Sequence, residues 1–265
     1  IFDEPTAVLT PQEISELMQI MRGLAAEGKS ILFISHKLQE IMAVADRCTV
    51  LRKGKYMGTV NIADTTKAEL SRMMVGRDVE FAVTKGEAHP AEVVLDVKSL
   101  TVPSKVHKNN AVKNVSFQVH AGEIVCIAGI DGNGQSELVY ALAGLIKPDH
   151  GTISMQGKDI TNTSIRKRND MGLSHIPEDR HKHGLVLDYN LAENLVLKSY
   201  HHKEFQSGGF IRFGEVYDHA EKLIEQFDIR SGQGAVTTAR SMSGGNQQKA
   251  IVAREIDLAP DVLLA

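Results

Sequence analysis

The chain has 265 residues, 42% of them hydrophobic and 24% charged, which gives ample apolar material for one large or two small packed domains. Its net charge is -3 and its lysines and arginines are spread along the chain, which argues against a large basic surface for nucleic acid. We find neither a run approaching the roughly 18 apolar residues of a membrane span nor a secretory leader. We therefore expect a cytoplasmic protein, unless a partner holds it at a membrane.

Polar residues follow two apolar segments in the first part of the chain. Asp3 and Glu4 come directly after an apolar start, and His36 comes directly after the apolar run 30–35. That run shows no alternation of polar and apolar residues, which is typical of a strand buried on both faces of a parallel sheet. The sequence thus predicts two buried strands, each ending in polar side chains.

Local signals predict a helix and a hairpin in the same region. Residues 10–13 place a threonine, a proline and an acid in the pattern of a capping box, and Gly28 marks the end of the helix that follows. Two strand-like runs flank the turn 53–55. Residues 78–90 then lose periodicity and gather charge, which predicts a linker.

The rest of the chain predicts three strands, at 92–102, 112–119 and 122–128, and a helix over 138–145. Residues 201–213 predict a surface insertion between helices. The chain contains two cysteines, Cys48 and Cys126, each inside an apolar strand-like run and without metal-ligand spacing. Both are expected to be buried thiols in a reducing compartment.

A glycine-rich loop at 129–136 lies between a predicted strand and a predicted helix, the setting of a phosphate-binding loop. Gly132 and Gly134 allow backbone conformations that point amide groups at phosphate oxygens, helped by the helix amino end. Ser136 offers a hydroxyl to Mg²⁺. Gln135 stands where a phosphate-binding lysine is usual, and the missing charge should impair hydrolysis more than binding. An accidental glycine turn is the alternative interpretation of such a loop seen alone.

A second group of small residues begins another predicted helix. Ser243, Gly244 and Gly245 precede the helical run that continues to about residue 258. A hydroxyl, bare glycine backbone and a helix amino end together form an anion-binding surface. Seen alone, these residues would also fit a plain capped helix start.

In combination, the acidic pair, His36, the glycine-rich loop and residues 243–247 resemble the ATP-binding subunits of ABC transporters, over essentially the whole chain. The resemblance implies an α/β fold, that of a P-loop NTPase of the ABC type. Such a fold has a parallel sheet core, an antiparallel β subdomain and a helical subdomain. The order of the motifs is rotated, so the fold is expected to be partial, either permuted into one domain or divided into two separate partial subdomains with exposed sheet edges. In the permuted form, Asp3 and Glu4 would face Gln135 and Ser136.

The resemblance also implies the cofactors ATP and Mg²⁺ and assigns roles to residues. Asp3 would hold Mg²⁺ through water, Glu4 would polarise the attacking water, and His36 would contact the γ-phosphate as the switch histidine. Glu178, in the Q-loop position, would couple to the transmembrane partner, and residues 7–10 would form the D-loop. Mg²⁺ would also take Ser136 as a ligand. The nucleotide-binding residues would be Gly129, Asp131, Gly132, Asn133, Gly134, Gln135, Ser136, Glu137, Ser243, Gly244, Gly245 and Gln247.

The substitution of Glu178 in the Q-loop position resembles the second domain of tandem importer ATPases. These ABC importers carry two ATPase domains in one subunit, the second with a weakened phosphate loop. Residues 1–85 then correspond to the C-terminal part of the first domain, and residues 90–265 to the N-terminal part of the second. In the family's head-to-tail arrangement, Glu4 and His36 would share one ATP with the signature motif, residues 243–247. The phosphate loop of that competent site would lie upstream of Ile1. The isolated chain is therefore expected to hydrolyse ATP poorly.

The runs 129–138, 177–187 and 191–194 look most like the nucleoside-importer branch of the simple-sugar and nucleoside family. Its implied partners are transmembrane permease subunits, a substrate-binding lipoprotein and a second nucleotide-binding domain or subunit, with no nucleic acid. Its implied location is the cytoplasmic face of the cell membrane. Two alternatives stay open: a non-transport ABC ATPase acting on ribosomes or DNA, and a catalytically silent interaction fragment.

Overall fold

The computed structural model describes residues 1–6, 9–76, 86–104, 109–130 and 132–265. The chain divides into two compact units, Ile1–Glu87 and Ala88–Ala265, and each is described by itself. Most of the predicted linker, the first half of the predicted D-loop and Asp131 lie outside the described residues. The assignment of the two parts to two ATPase domains, and the permuted arrangement, therefore stay predictions.

The described part of the first unit combines short strands with three α-helices. Its α-helices and β-strands, in chain order, are β1 Phe2–Asp3, α1 Pro11–Ala26, β2 Phe33–Ile34, α2 Leu38–Val44, β3 Arg47–Arg52, β4 Lys55–Asn61 and α3 Lys67–Val75. Strands β1 and β2 pair in parallel, and β3 and β4 pair antiparallel. Its deeply buried apolar side chains include Met18 and Met21 of α1, Ile41 of α2 and Leu70 of α3.

Local chemistry explains the first helix and the hairpin, and both predictions are confirmed. The Thr10 hydroxyl accepts from the backbone N–H of Glu13, whose carboxylate accepts from the backbone N–H of Thr10. This reciprocal pair satisfies two amide groups that the first turn leaves unbonded. Lys53 and Gly54 have φ of 50° and 74°, as a two-residue type I′ hairpin turn requires.

The predicted strand over 30–35 is shorter and less buried than expected. Only Phe33 and Ile34 are in strand β2, and Leu32 and Ile34 are exposed. A strand is buried on both faces only when helices cover both faces of its sheet. Among the described residues, β2 pairs with β1 alone.

The second unit contains an antiparallel sheet, a helical cluster and a short parallel pair. Its α-helices and β-strands are β5 Val93–Pro103, β6 Asn110–His120, α4 Gln135–Ala143, β7 His150–Met155, β8 Lys158–Asp159, α5 Ile165–Asp170, β9 Leu173–His175, α6 Leu191–Leu195, β10 Gln206–Ser207, β11 Phe210–Ile211, α7 Phe213–Gln226, α8 Gly244–Asp257 and β12 Val262–Leu264. The antiparallel sheet has the order β6-β5-β7-β8, and β9 pairs in parallel with β12.

Two apolar cores hold the second unit together. The first lies between the antiparallel sheet, α4 and the β9–β12 pair, and includes Leu100, Leu142 and Ile153. The second lies among α6, α7 and α8, and includes Leu191 and Ala253. The predicted helix over 138–145 and the strands over 92–102 and 112–119 are present, within a few residues of their predicted bounds. None of the described helices is long and apolar enough to cross a membrane.

The predicted buried strand over 122–128 is wrong. Residues 123–130 have no regular secondary structure, and Ile124, Val125 and Ile127 are exposed. A parallel strand needs hydrogen-bonding partners at its edges, and within the described ranges no strand pairs with this run. The expectation of buried cysteines fails with it, because Cys126 is exposed and Cys48 is half-buried.

Candidate functional site

Glu4 and His36 meet at the carboxyl ends of two adjacent strands. Asp3 pairs with Ile34 in the parallel β1–β2 register, so the residues that follow each strand lie side by side. Oε1 of Glu4 lies 2.7 Å from Nδ1 of His36, and both side chains are at least half exposed. The backbone of Glu4 has φ of 43° and its N–H donates to Ile34. Asp3 is also exposed, one residue before this pair.

A buried carboxylate ties together the two loops that carry this pair. Glu40 is 7% exposed, and its Oε2 accepts from the hydroxyls of Thr6, at 2.8 Å, and Ser35, at 3.2 Å. Lys37 donates through Nζ to the backbone carbonyl of Thr6 and lies 3.3 Å from Oε1 of Glu40. The loop after β1 and the loop after β2 are therefore joined just beyond Glu4 and His36.

The glycine-rich loop has the backbone that the sequence predicts. Gly132 and Gly134 have φ of 81° and 97°, in the left-handed region that favours glycine, and α4 begins at Gln135. The first helical amides thus point toward the loop, as in helix-terminal anion sites. The side chain of Gln135 folds back and donates through Nε2 to the carbonyl of Ile130, at 3.3 Å.

Two predicted site residues from distant segments are brought together here. The Ser136 hydroxyl donates to Oε2 of Glu178, at 3.0 Å, across 42 residues of sequence. Glu178 follows β9 and is exposed. A hydroxyl and a carboxylate are hard oxygen ligands, the kind that Mg²⁺ takes in nucleotide sites. These two oxygens fit an Mg²⁺ ion bound beside the phosphate loop.

The segment after Glu178 forms a single π-helical turn, Arg180–Gly184, that packs on α8. Asp179 caps this turn by accepting from the backbone N–H groups of Lys182 and His181, and these bonds lower the pKa of its carboxyl. A Cβ on Gly244 would lie 3.2 Å from the Arg180 guanidinium, so the two segments are closely packed there. The carbonyl of Gly184 accepts from Arg254, at 2.9 Å.

Ser243, Gly244 and Gly245 are exposed at the start of α8. A helix amino end must be exposed in this way to bind an anion from solution. Ser243 makes no capping bond to the helix backbone, and its hydroxyl accepts from Nδ2 of Asn246 at 2.9 Å. The side chain of Gln247 is buried instead. Its Nε2 donates to the carbonyl of Ala239, and its Oε1 lies 3.0 Å from Nε2 of His181.

The predicted residues therefore form two groups. Glu4 and His36 meet in the first unit. In the second unit, the phosphate loop contacts Glu178, and the π-helical turn after Glu178 contacts the start of α8. Sequence reasoning missed Glu40, Arg180 and His181, whose roles depend on contacts over 34 to 66 residues.

Comparison with known proteins identifies the relatives of this chain. A family model described as "ABC transporter" matches residues 112–265. The chain is 53% identical over 264 residues to "Nucleoside import ATP-binding protein NupA" of Lactococcus lactis, covering 100% of this chain and 52% of that protein. It is 53% identical over 265 residues to "Guanosine import ATP-binding protein NupO" of Bacillus subtilis, again covering 100% of this chain and 52% of the relative. The chain thus spans about half the length of these curated relatives.

Solved structures show the same fold. A dimeric ATP-binding cassette in a post-hydrolysis state, bound to ADP and Pi, superposes with a TM-score of 0.51 at 20% identity, covering 64% of this chain and 72% of that one. A nucleotide-free cassette from an ABC transporter gives a TM-score of 0.50 at 19% identity, covering 65% and 68%. The α/β fold of the ATP-binding cassette, expected from the sequence, is confirmed.

Proposed function

Because this chain belongs to the ABC transporter family, we propose that it is the nucleotide-binding part of an ATP-hydrolysing subunit that drives an importer. The observation that carries this proposal is the convergence of the phosphate loop, the Ser136 hydroxyl and the Glu178 carboxylate. Backbone amides at the start of α4 would bind the phosphates, and the two oxygens would hold Mg²⁺. Gln135 leaves this site without the usual cation.

We assign the hydrolytic step to a different ATP. Glu4 and His36 lie in contact at the strand ends, where a carboxylate can polarise water and an imidazole can contact the γ-phosphate. Asp3, beside them, would hold the metal ion through water. Residues 243–247 are proposed as the signature motif, because their helix amino end is exposed and no side chain caps it. The phosphate loop with the usual lysine would lie in a part of the full-length subunit that corresponds to the remaining half of the relatives' length.

Nucleosides are the proposed substrate class. The relatives named for nucleoside and guanosine import are each 53% identical to this chain, whereas a ribose import relative is 38% identical. Simple sugars are the second candidate. The proposed partners are permease subunits and a substrate-binding lipoprotein at the cytoplasmic face of the membrane, with the exposed segment from Glu178 contacting the permease.

The nucleotide site can be tested on the purified chain with a fluorescent ATP analogue. Ser136→Ala should weaken binding about tenfold in Mg²⁺ and leave it unchanged in EDTA, because it removes one proposed metal ligand. Ser15→Ala is the matched control, the same change at an exposed position of α1, and should bind as the wild type does. Equal weakening in both variants, or no effect of Ser136→Ala, would contradict the assignment.

Transport is tested with the full-length subunit and its permease in vesicles or cells. Glu4→Gln should abolish uptake of labelled guanosine, whereas Glu16→Gln, an equally conservative change on the exposed face of α1, should not. Glu4-dependent uptake of ribose without guanosine uptake would select the sugar alternative. The isolated chain should show little ATP turnover, and rapid Glu4-dependent turnover would refute the shared-site arrangement.

A further inference from the structure

We propose that Asp170, His201 and His202 form a binding site for a divalent transition-metal ion of the Zn²⁺ class. One ligand atom from each of the three lies within 4.8 Å of the other two. Among the described residues, this is the group of three His, Cys, Asp or Glu side chains whose ligand atoms all lie within that distance of one another. It is separate from the phosphate loop and from the Glu4–His36 pair in sequence, and it is independent of the proposed function.

The distances suit a small tetrahedral ion. Nε2 of His201 lies 3.3 Å from Oδ1 of Asp170. Ligands at about 2.0–2.2 Å from a tetrahedral zinc ion lie about 3.4 Å from one another, so these two atoms already have the required separation. The ligand atom of His202 needs a shift of up to about 1.4 Å to complete the set, which an exposed side chain can make.

The ligand chemistry selects the metal. Two imidazoles and one carboxylate are the donor set of many zinc sites, whereas Mg²⁺ and Ca²⁺ prefer oxygen ligands alone. Asp170 and His202 are exposed, so water can supply the fourth ligand.

The backbone that carries the three ligands is held by hydrogen bonds and packing. Asp170 is the last residue of α5, and Arg166 on the same helix donates to the Tyr200 hydroxyl at 2.6 Å. The turns that carry the histidines are closed by a bond from the amide N–H of His202 to Ser199, at 2.8 Å, and anchored by the buried Phe205. Little backbone entropy is therefore lost when the metal binds.

A second histidine–carboxylate pair shows what distinguishes this site. Nε2 of His219 lies 2.9 Å from Oδ2 of Asp257, a shorter contact than that of His201 with Asp170. In the described residues, however, no third His, Cys, Asp or Glu donor joins this pair within 4.8 Å. The His219–Asp257 pair is thus a matched control that forms the hydrogen bond without the metal-binding geometry.

The test is a titration of Zn²⁺ alone into the untagged full chain, followed by calorimetry and equilibrium dialysis. A Cys126→Ser background removes the exposed thiol, which would bind zinc by itself. We expect one ion per chain, with affinity reduced at least tenfold by His202→Ala and by Asp170→Asn. His219→Ala should leave the affinity unchanged.

Circular dichroism of the metal-free variants separates loss of ligands from loss of fold. Zinc should raise the Tm of the wild type and of His219→Ala, but not that of the combined variant D170N/H201Q/H202A. The proposal is overturned if the combined variant binds zinc as tightly as the wild type. It is also overturned if the wild type binds none, or if His219→Ala weakens binding as much as His202→Ala does.

Discussion

Gly134 is a position of the phosphate loop where an added Cβ atom would clash with the backbone. Its φ is 97°, and a Cβ built there would lie 2.5 Å from the carbonyl oxygen of Ala111. Gly132 has a similar φ of 81°, but a Cβ there would meet nothing within 4 Å. The two glycines of the phosphate loop therefore have different structural requirements, which the sequence pattern alone does not separate.

Replacing each glycine by alanine should separate these effects. Gly132→Ala should lower the free energy of unfolding by about 1 kcal/mol, the cost of a left-handed alanine. Gly134→Ala should cost about 2–4 kcal/mol, because overpacking against a backbone carbonyl is added. Denaturant unfolding of the two variants measures the difference, and equal costs would contradict the close approach at Gly134.

Gln135 provides a gain-of-function prediction at the same scale. Gln135→Lys should tighten ATP binding to the phosphate loop about tenfold or more, because a charge-assisted contact of about 1.5–3 kcal/mol replaces a neutral one. Gln39→Lys, on the exposed face of α2, makes the same change in net charge away from the loop. An equal effect of both variants would show that net charge, and not a local contact, strengthens binding.

Buried polar contacts decide how the short elements of the first unit are held. Strands β1 and β2 are two residues each, too short to fix the loops that follow them. Glu40 does so instead, by accepting hydrogen bonds from Thr6 and Ser35. This carboxylate is on α2, so the helix positions the candidate catalytic pair.

Removing that acceptor tests the arrangement. Glu40→Ala should destabilise the first unit by about 2 kcal/mol, since two hydroxyls and Lys37 lose their partner. Glu16→Ala, at an exposed site on α1, should change stability by less than about 0.5 kcal/mol. Thermal unfolding followed by circular dichroism gives both values, and an unchanged first unit in Glu40→Ala would refute the role of Glu40.

Elements with local signals were predictable from the sequence, and elements that depend on pairing were not. The capping box at Thr10 and the turn at Gly54 act through neighbours within four residues, so their patterns identify them. The apolar run 122–128 was predicted as a buried strand because its composition fits one. Strand pairing is a long-range property, and a single apolar run does not reveal whether partners adjoin it.

A buried charged network makes the whole second unit sensitive to pH. Glu255 is fully buried and binds Lys198 at 2.6 Å and Arg254 at 2.9 Å. Burial, and then the nearby Lys198 charge, lower the pKa of His175 to about 4. Burial also lowers the pKa of Lys198, although its pairing with Glu255 opposes this. The folded state therefore favours a neutral imidazole at His175.

The free energy of unfolding depends on pH because His175 binds a proton less readily in the folded chain than in the unfolded chain. The unfolded chain protonates this histidine near pH 6.5, while the folded chain does so near pH 4, so the unfolded state binds more protons between these values. The free energy of unfolding should fall by up to about 3 kcal/mol as the pH is lowered through this range. His175→Gln should flatten the profile between pH 6.5 and 5, whereas His150→Gln, at an exposed position, should not. Identical slopes in all three proteins would contradict the burial effect.

The candidate site was predictable in its parts but not in its connections. Residue patterns identified Glu4, His36 and Ser136, because strand ends and glycine-rich loops have sequence signals. The contact between His181 and Gln247 joins residues 66 positions apart and has no such signal. Gln247 was predicted to bind nucleotide, yet its side chain is buried and bonded within the chain.

The exposed run before the phosphate loop also affects how the protein can be studied. Of the two cysteines, Cys126 is exposed, while burial raises the pKa of the half-buried Cys48 and makes its thiolate scarcer. A maleimide fluorophore should therefore react first at Cys126, three residues before Gly129. The chain thus offers a preferred attachment point for a fluorophore that reports nucleotide binding.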